Sequence, residues 1–269
     1  MTMTLPPFAG TVRKLVYANV IVFFAVEILG WLAPQMAGAL IPHFQLEPLS
    51  VAHGEIWQLA TYSFLHFGLL DILFAMLTLW FCGSLLEGAY GSRWLAELYF
   101  TSVIGGAIAA SLISFTQVLH LSPEAVSSGA WAGIFGVMIG IGMRFGDQEF
   151  LLFFVVRMRA KYMVAIYILI ALAILLKDSN EFAALLQLSG ALCGYLYVRY
   201  APSRGLRFAF SERYFALRNG YYRAKRRRAA KKFEVFMGKQ GRKVHFDENG
   251  RYLDPDEERK DPKDKRWMN

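Results

Sequence analysis

The sequence predicts an all-α protein that crosses a membrane several times and carries a basic polar extension. Three observations carry this. Of 269 residues, 55% are hydrophobic and only 19% charged, below the quarter usual in soluble domains, and mean hydropathy is +0.33. Apolar runs long enough to cross hydrocarbon recur up to residue 200. Charge is divided: residues 1–200 hold nine Lys and Arg against eleven Asp and Glu, net −2, while residues 201–269 hold twenty against ten, net +10. Two domains are expected, a membrane body over 1–200 and a basic cytoplasmic tail over 201–269, partly disordered. The composition excludes a soluble enzyme, a secreted disulfide scaffold and a fully disordered chain. Cys82 and Cys193 lie inside apolar runs and read as small hydrophobes, and no cofactor or metal is expected.

A crossing takes about 20 apolar residues. Leu15–Ala33 is the first, and it exceeds the ~7–15 residues of a signal-peptide core although Ala37-Gly38-Ala39 resembles a cleavage site. Pro34, Pro42 and Pro48 then prevent one continuous helix in the following loop. Phe67–Leu86 and Trp94–Phe115 are the second and third spans, and Phe182–Tyr200 the last. Gly129–Met143 and Tyr162–Leu176 have 15 residues each, roughly 22 Å at the helical rise. Phe150–Val156, followed by Arg157, Arg159 and Lys161, is expected along the cytoplasmic interface. Counting six spans places 28 of 29 basic residues on one side, with Lys177 alone opposite. Both termini are then cytoplasmic, as in a multi-pass protein of a bacterial inner (plasma) membrane.

Small residues mark helix contacts. Gly129, Gly133, Gly136 and Gly140 line the fourth span, Gly190 and Gly194 the sixth, and Gly105-Gly106 the third. Polar groups among these runs are costly and few. Glu27 is expected in a helix–helix hydrogen bond and Glu97 at a solvated boundary. Ser128 opens a helix too short to reach both surfaces, at the mouth of the glycine seam. That position suits a nucleophile meeting an acyl group in the membrane, and equally an N-cap serine.

Several motifs in order resemble the rhomboid family of intramembrane serine proteases. They are Trp57-Gln58-Leu59-Ala60-Thr61-Tyr62-Ser63-Phe64-Leu65-His66, Cys82-Gly83-Ser84-Leu85-Leu86-Glu87, Tyr90-Gly91-Ser92-Arg93, and Ser128-Gly129-Ala130 with Gly133 and Gly136. The resemblance covers residues 12–200 and implies a rhomboid-like bundle of six transmembrane helices. It also implies a serine–histidine dyad, with the serine in Gly-x-Ser-Gly and the histidine heading the last span. Here the serine is Ser128 but Val126 replaces the first glycine, and Gln187 stands at the base position. The family's oxyanion-side pattern, His-x4-His-x3-Asn, becomes His66, Asp71 and Ala75. An amide has no useful basicity, a serine needs a neighbouring base, and a carboxylate opposes developing negative charge. The expected protein is a catalytically incomplete, pseudoprotease-like member that recognises or escorts transmembrane client proteins through a vestigial cavity. The alternative is an active intramembrane endopeptidase with a rearranged site. A small transporter would need symmetric spans or a continuous polar path, and neither is evident.

In the tail, Arg223, Lys225, Arg226, Arg227, Arg228, Lys231 and Lys232 follow Phe208, Phe210, Tyr214, Phe215, Tyr221 and Tyr222. Basic and aromatic residues beside a membrane suit anionic lipid headgroups, and nucleic acid is not expected as a partner. Lys243–Leu253 suggests a small hairpin, and Asp254–Asn269 a disordered end with Arg266–Asn269 as a docking peptide.

Overall fold

The computed structural model describes residues 6–118, 121–152, 156–177, 180–201, 206–241, 244–246 and 251–253. They divide into two compact units, residues 1–206 and 207–269. The expected disorder of 254–269 and its terminal peptide lie outside the described residues.

Unit one is a helical bundle. Four of its helices are long and apolar enough to cross a membrane: α1 (Gly10–Leu32), α5 (Leu69–Tyr90), α6 (Ser92–Ser114) and α9 (Glu181–Tyr200). Two shorter apolar helices are α7 (Trp131–Phe145) and α8 (Ala160–Leu175). Between α1 and α5 the prolines act as expected. Pro34 opens α2 (Pro34–Leu40), Pro42 begins a 3-10 turn, and Pro48 opens α3 (Pro48–Ala52), with α4 (Gln58–Thr61) after it.

The closest packing joins α6, α7 and α9, where glycines remove the side chains that would hold backbones apart. A Cβ on Gly190 would meet the Ala132 carbonyl, and one on Gly194 would stand 2.5 Å from Gly136 Cα. Gly106 faces Gly190 in the same way, and the Tyr99 ring lies directly over Gly133. Helix α1 leans on α5, and α8 packs on α7 and α9.

Two acidic residues depart from expectation. Glu27 is exposed on α1, and no hydrogen bond from it is found among the described residues. Glu97 is not merely solvated: it accepts a hydrogen bond from the Tyr197 hydroxyl at 3.0 Å, tying α6 to α9. The stretch expected along the cytoplasmic interface, Phe150–Val156, takes part in a strand pair. Glu149–Leu152 (β1) pairs antiparallel with Val156–Arg159 (β2), which satisfies backbone groups that a lone strand would leave open.

Glu87 has a structural role that only the fold reveals. Its carboxylate accepts the Thr11 and Val12 backbone N–H groups at 2.6 and 3.0 Å, capping the start of α1 from the end of α5. The Ser92 hydroxyl also bonds to it. Hydrogen bonds to a charged acceptor contribute about 1.5–3 kcal/mol each when buried, and this site is only part-buried. We expect Glu87→Ala to destabilise the protein by about 2 kcal/mol, measured by denaturant titration in micelles. Glu87→Gln should fall between it and the wild type.

Unit two consists of α10 (Leu206–Lys239) and a short antiparallel pair, His245–Phe246 (β3) with Tyr252–Leu253 (β4). The pair matches the expected hairpin, and its tip lies outside the described residues. Phe246 contacts both Phe233 and Tyr252, with ring centroids 6.2 Å apart in each case. Ala230 is buried, whereas Arg223, Lys225, Arg226, Arg227, Arg228, Lys231 and Lys232 are exposed.

Candidate functional site

The segment leading into α7 is held from two directions. Ser127 exchanges both backbone hydrogen bonds with Leu46, and the Gly129 N–H donates to the Tyr62 carbonyl at 2.9 Å. Gly129 has φ +105°, a conformation that strains any residue with a Cβ, and it turns the extended segment into the helix. Ser128 therefore stands ahead of the helix and does not cap it. Ala130 takes the cap position and no side chain closes it. Ser128 is partly exposed.

His66 comes from the connection ahead of α5 and is buried, 1% exposed. Its Nε2 accepts the Ala130 backbone N–H at 3.3 Å, so the ring is written as the neutral tautomer with its proton on Nδ1. Burial holds His66 below its ordinary pKa, against the pull of the Asp71 carboxylate and the Phe64 carbonyl. Asp71 lies in the first turn of α5, and its Oδ1 accepts the Trp131 indole N–H at 2.6 Å. Its Oδ2 lies 4.0 Å from His66 Nε2, and both face the Gly129 backbone. Ala75 is fully buried in the core and offers nothing to this surface.

Gln187 is placed by helix register. Helices α7 and α9 run in the same direction, with Ala132 against Gly190 and Gly136 against Gly194. Gln187 lies three residues before Gly190, on the part of α9 that leads toward the start of α7. Gln187 is partly exposed. Among the described residues no hydrogen bond joins the Ser128 hydroxyl to His66, Asp71 or Gln187; the His66 ring accepts from Ala130 and the Asp71 carboxylate from Trp131. Close by, a cavity of about 530 Å³ opens between the segment before Ser128 and the start of α9. Leu121, Ser122, Ala125, Val126, Asn180, Glu181 and Phe182 line it.

Sequence reasoning missed the partners of the site residues. Trp131 and the Ala130 N–H carry no mark in the sequence, because a tryptophan opening an apolar helix reads as an ordinary hydrophobe until register brings it to Asp71.

A bundle of apolar helices in which a serine precedes a short glycine-lined helix, with His66 and Asp71 facing the glycine that follows it, defines a polytopic membrane protein. The chain belongs to the rhomboid family, whose Rhomboid domain model matches residues 53–204. It is 28% identical over 188 residues to Rhomboid-like protein 19 of Arabidopsis thaliana, covering 66% of this chain and 59% of that protein. It is 31% identical over 125 residues to the Rhomboid protease GluP of Bacillus subtilis, covering 46% of this chain and 23% of that one. Rhomboid-like protein 16, chloroplastic, of Arabidopsis thaliana is 32% identical over 103 residues, or 37% of this chain and 30% of the relative. The chain thus spans less than two thirds of the length of each.

Proposed function

We propose that this rhomboid-family protein binds single-span membrane proteins at the Ser128 site without cleaving them. The observation that carries the reading is the state of the would-be bases. Gln187, at the position where the family pattern calls for a base, cannot accept the serine proton, and His66, the imidazole that faces Gly129 among the described residues, has its Nε2 lone pair occupied by the Ala130 N–H. Burial makes that imidazole a weaker base still. The rival reading is proteolysis with His66 as base, which requires His66 to give up the Ala130 contact. Cleavage of a model transmembrane substrate by the reconstituted protein decides between them. It should be undetectable, and identical for the wild type and Ser128→Ala; serine-dependent product sinks the proposal.

The same reading takes all six apolar helices of unit one as crossings, with both ends of the chain in the cytoplasm of a cell such as a bacterium. Its support is the distribution of Lys and Arg along the sequence.

For α10 we infer an anionic membrane surface as partner. Arg218 lies 5.9 and 5.8 Å from the Phe215 and Tyr222 ring centroids, so an exposed aromatic face carries its own cation, and the exposed cluster from Arg223 to Lys232 continues it. Each such charge near anionic lipid is worth about 1 kcal/mol, screened as the Debye length shrinks. In nanodiscs of the full chain, tryptic cutting within residues 223–232 should be slow with anionic lipid at low salt. It should become fast at high salt or with neutral lipid. Equal cutting rates in all conditions rule the idea out.

A further inference from the structure

We infer that the Ser128 site selects clients carrying a lysine or arginine within the membrane span, with Asp71 as the recognising group. This rests on the client-binding reading above and adds its chemistry.

The first support is the hydrogen-bond inventory of Asp71. Its Oδ1 is used by the Trp131 indole. Among the described residues the one ion-pair partner of its Oδ2 is His66 Nε2, at 4.0 Å, and that nitrogen is itself accepting from Ala130. Two acceptors therefore face one another with no donor between them. A carboxylate acceptor in this position is satisfied by a group that brings protons and positive charge.

The second support is the lack of any cation to serve from within. No Lys or Arg occurs between Lys14 and Arg93, or between Arg93 and Arg144, so α5, α6 and nearly all of α7 carry none at their apolar levels. The ion pairs found among the described residues bring only His66 to Asp71. The Asp71 side chain is nevertheless 40% exposed, so a visiting group can reach it. An ionisable residue among membrane helices is costly unless it is paired, and a cation from a second protein supplies the pair.

The third support is the path of approach. Helices α5 and α8 stand on two sides of α7, and neither is packed substantially against the other. On α5, Leu70 and Leu73 beside Asp71 are exposed. A client helix arriving along this face meets apolar residues first and the carboxylate at the level of Gly129. Neutral or acidic spans gain the apolar contact and not the charge-assisted bond.

The test uses the full chain with a photo-crosslinker at Leu73, or in a second preparation at Tyr167. Three single-span model clients differ at one position only, Lys, Leu or Glu, set at the depth of Asp71. The readout is the Lys-to-Leu ratio of crosslinked product, so loosening of the site lowers both yields and leaves the ratio. A charge-assisted hydrogen bond predicts a ratio of roughly ten or more, with Glu captured least. Asp71→Asn, which still accepts from Trp131, should bring the ratio close to one. Trp131→Phe removes the indole donor but keeps the carboxylate, and should preserve the preference. Equal capture of Lys and Leu clients, or a preference that survives Asp71→Asn, overturns the inference while leaving client binding intact. Capture of no client from either position overturns both.

Discussion

Gln187→His should convert an unreactive Ser128 into one that a fluorophosphonate labels. The wild type should show no labelling above Ser128→Ala, and the variant should show labelling that Ser128→Ala removes. The reasoning is geometric. Ala132 against Gly190 and Gly136 against Gly194 fix the register of α7 and α9, and position 187, one helical turn before Gly190, lies toward the start of α7 that Ser128 precedes. An imidazole there can take the hydroxyl proton, and a positioned general base is worth about 10²–10⁴ in rate. Full proteolysis should still lag, because Asp71 presents an acceptor where a donor is needed, and one missing oxyanion donor costs about 10²–10³. Adding Asp71→His should raise labelling again. Adding Ala75→Asn should not, because position 75 is fully buried in the core and the larger side chain would overpack it. No labelling of Gln187→His would mean that α9 does not hold position 187 beside Ser128.

The largest loss of stability is expected at the three-helix contact. A Cβ on Gly190 would press on the carbonyl, carbon and Cα of Ala132, which are backbone atoms that cannot rotate away. Overpacking costs about 1–3 kcal/mol and sometimes more, and a clash with backbone belongs at the upper end. Gly190→Ala should therefore lose about 3 kcal/mol, and Gly190→Val should not accumulate as folded protein. Gly105→Ala is the milder comparison: its new Cβ meets the Cys193 thiol at 2.8 Å, a side chain able to shift, and about 1 kcal/mol is expected. Gly30→Ala meets nothing within 4 Å and should be neutral or stabilising by up to about 1 kcal/mol. Denaturant titration in micelles ranks the three. A Gly190→Ala protein as stable as Gly30→Ala would sink the account of the seam.

The fold was legible where a single residue type carries its own physics. Prolines 34, 42 and 48 break the first loop as expected, and glycines at 136, 190 and 194 lie where backbones meet. What could not be read was pairing between distant positions. Glu97 reads as a boundary carboxylate until Tyr197, 100 residues on, donates to it. The strand Glu149–Leu152 is too short to declare itself without its partner. The site divides in the same way. Ser128 was visible as a match to a known pattern and Gln187 and Asp71 as departures from it, while the engagement of His66 by Ala130 and of Asp71 by Trp131 depends on three-dimensional register. Ser128 itself, by lying ahead of the helix, escaped the capping role that its sequence position suggests.

The Glu87 cap on α1 has a consequence for how the protein is made. Thr11 and Glu87 are 76 positions apart, and at ~5–20 residues per second a ribosome needs roughly 4–15 s to cover that distance. Through that interval the first helix exists with its leading N–H groups unanswered, closed only when the turn at Gly91 brings Glu87 round. The order of synthesis thus leaves the earliest element unfinished until the end of α5 has been made. A nascent chain arrested before Glu87 should leave its first helix frayed at the leading end and open to proteolysis, and one arrested after Ser92 has emerged should protect it.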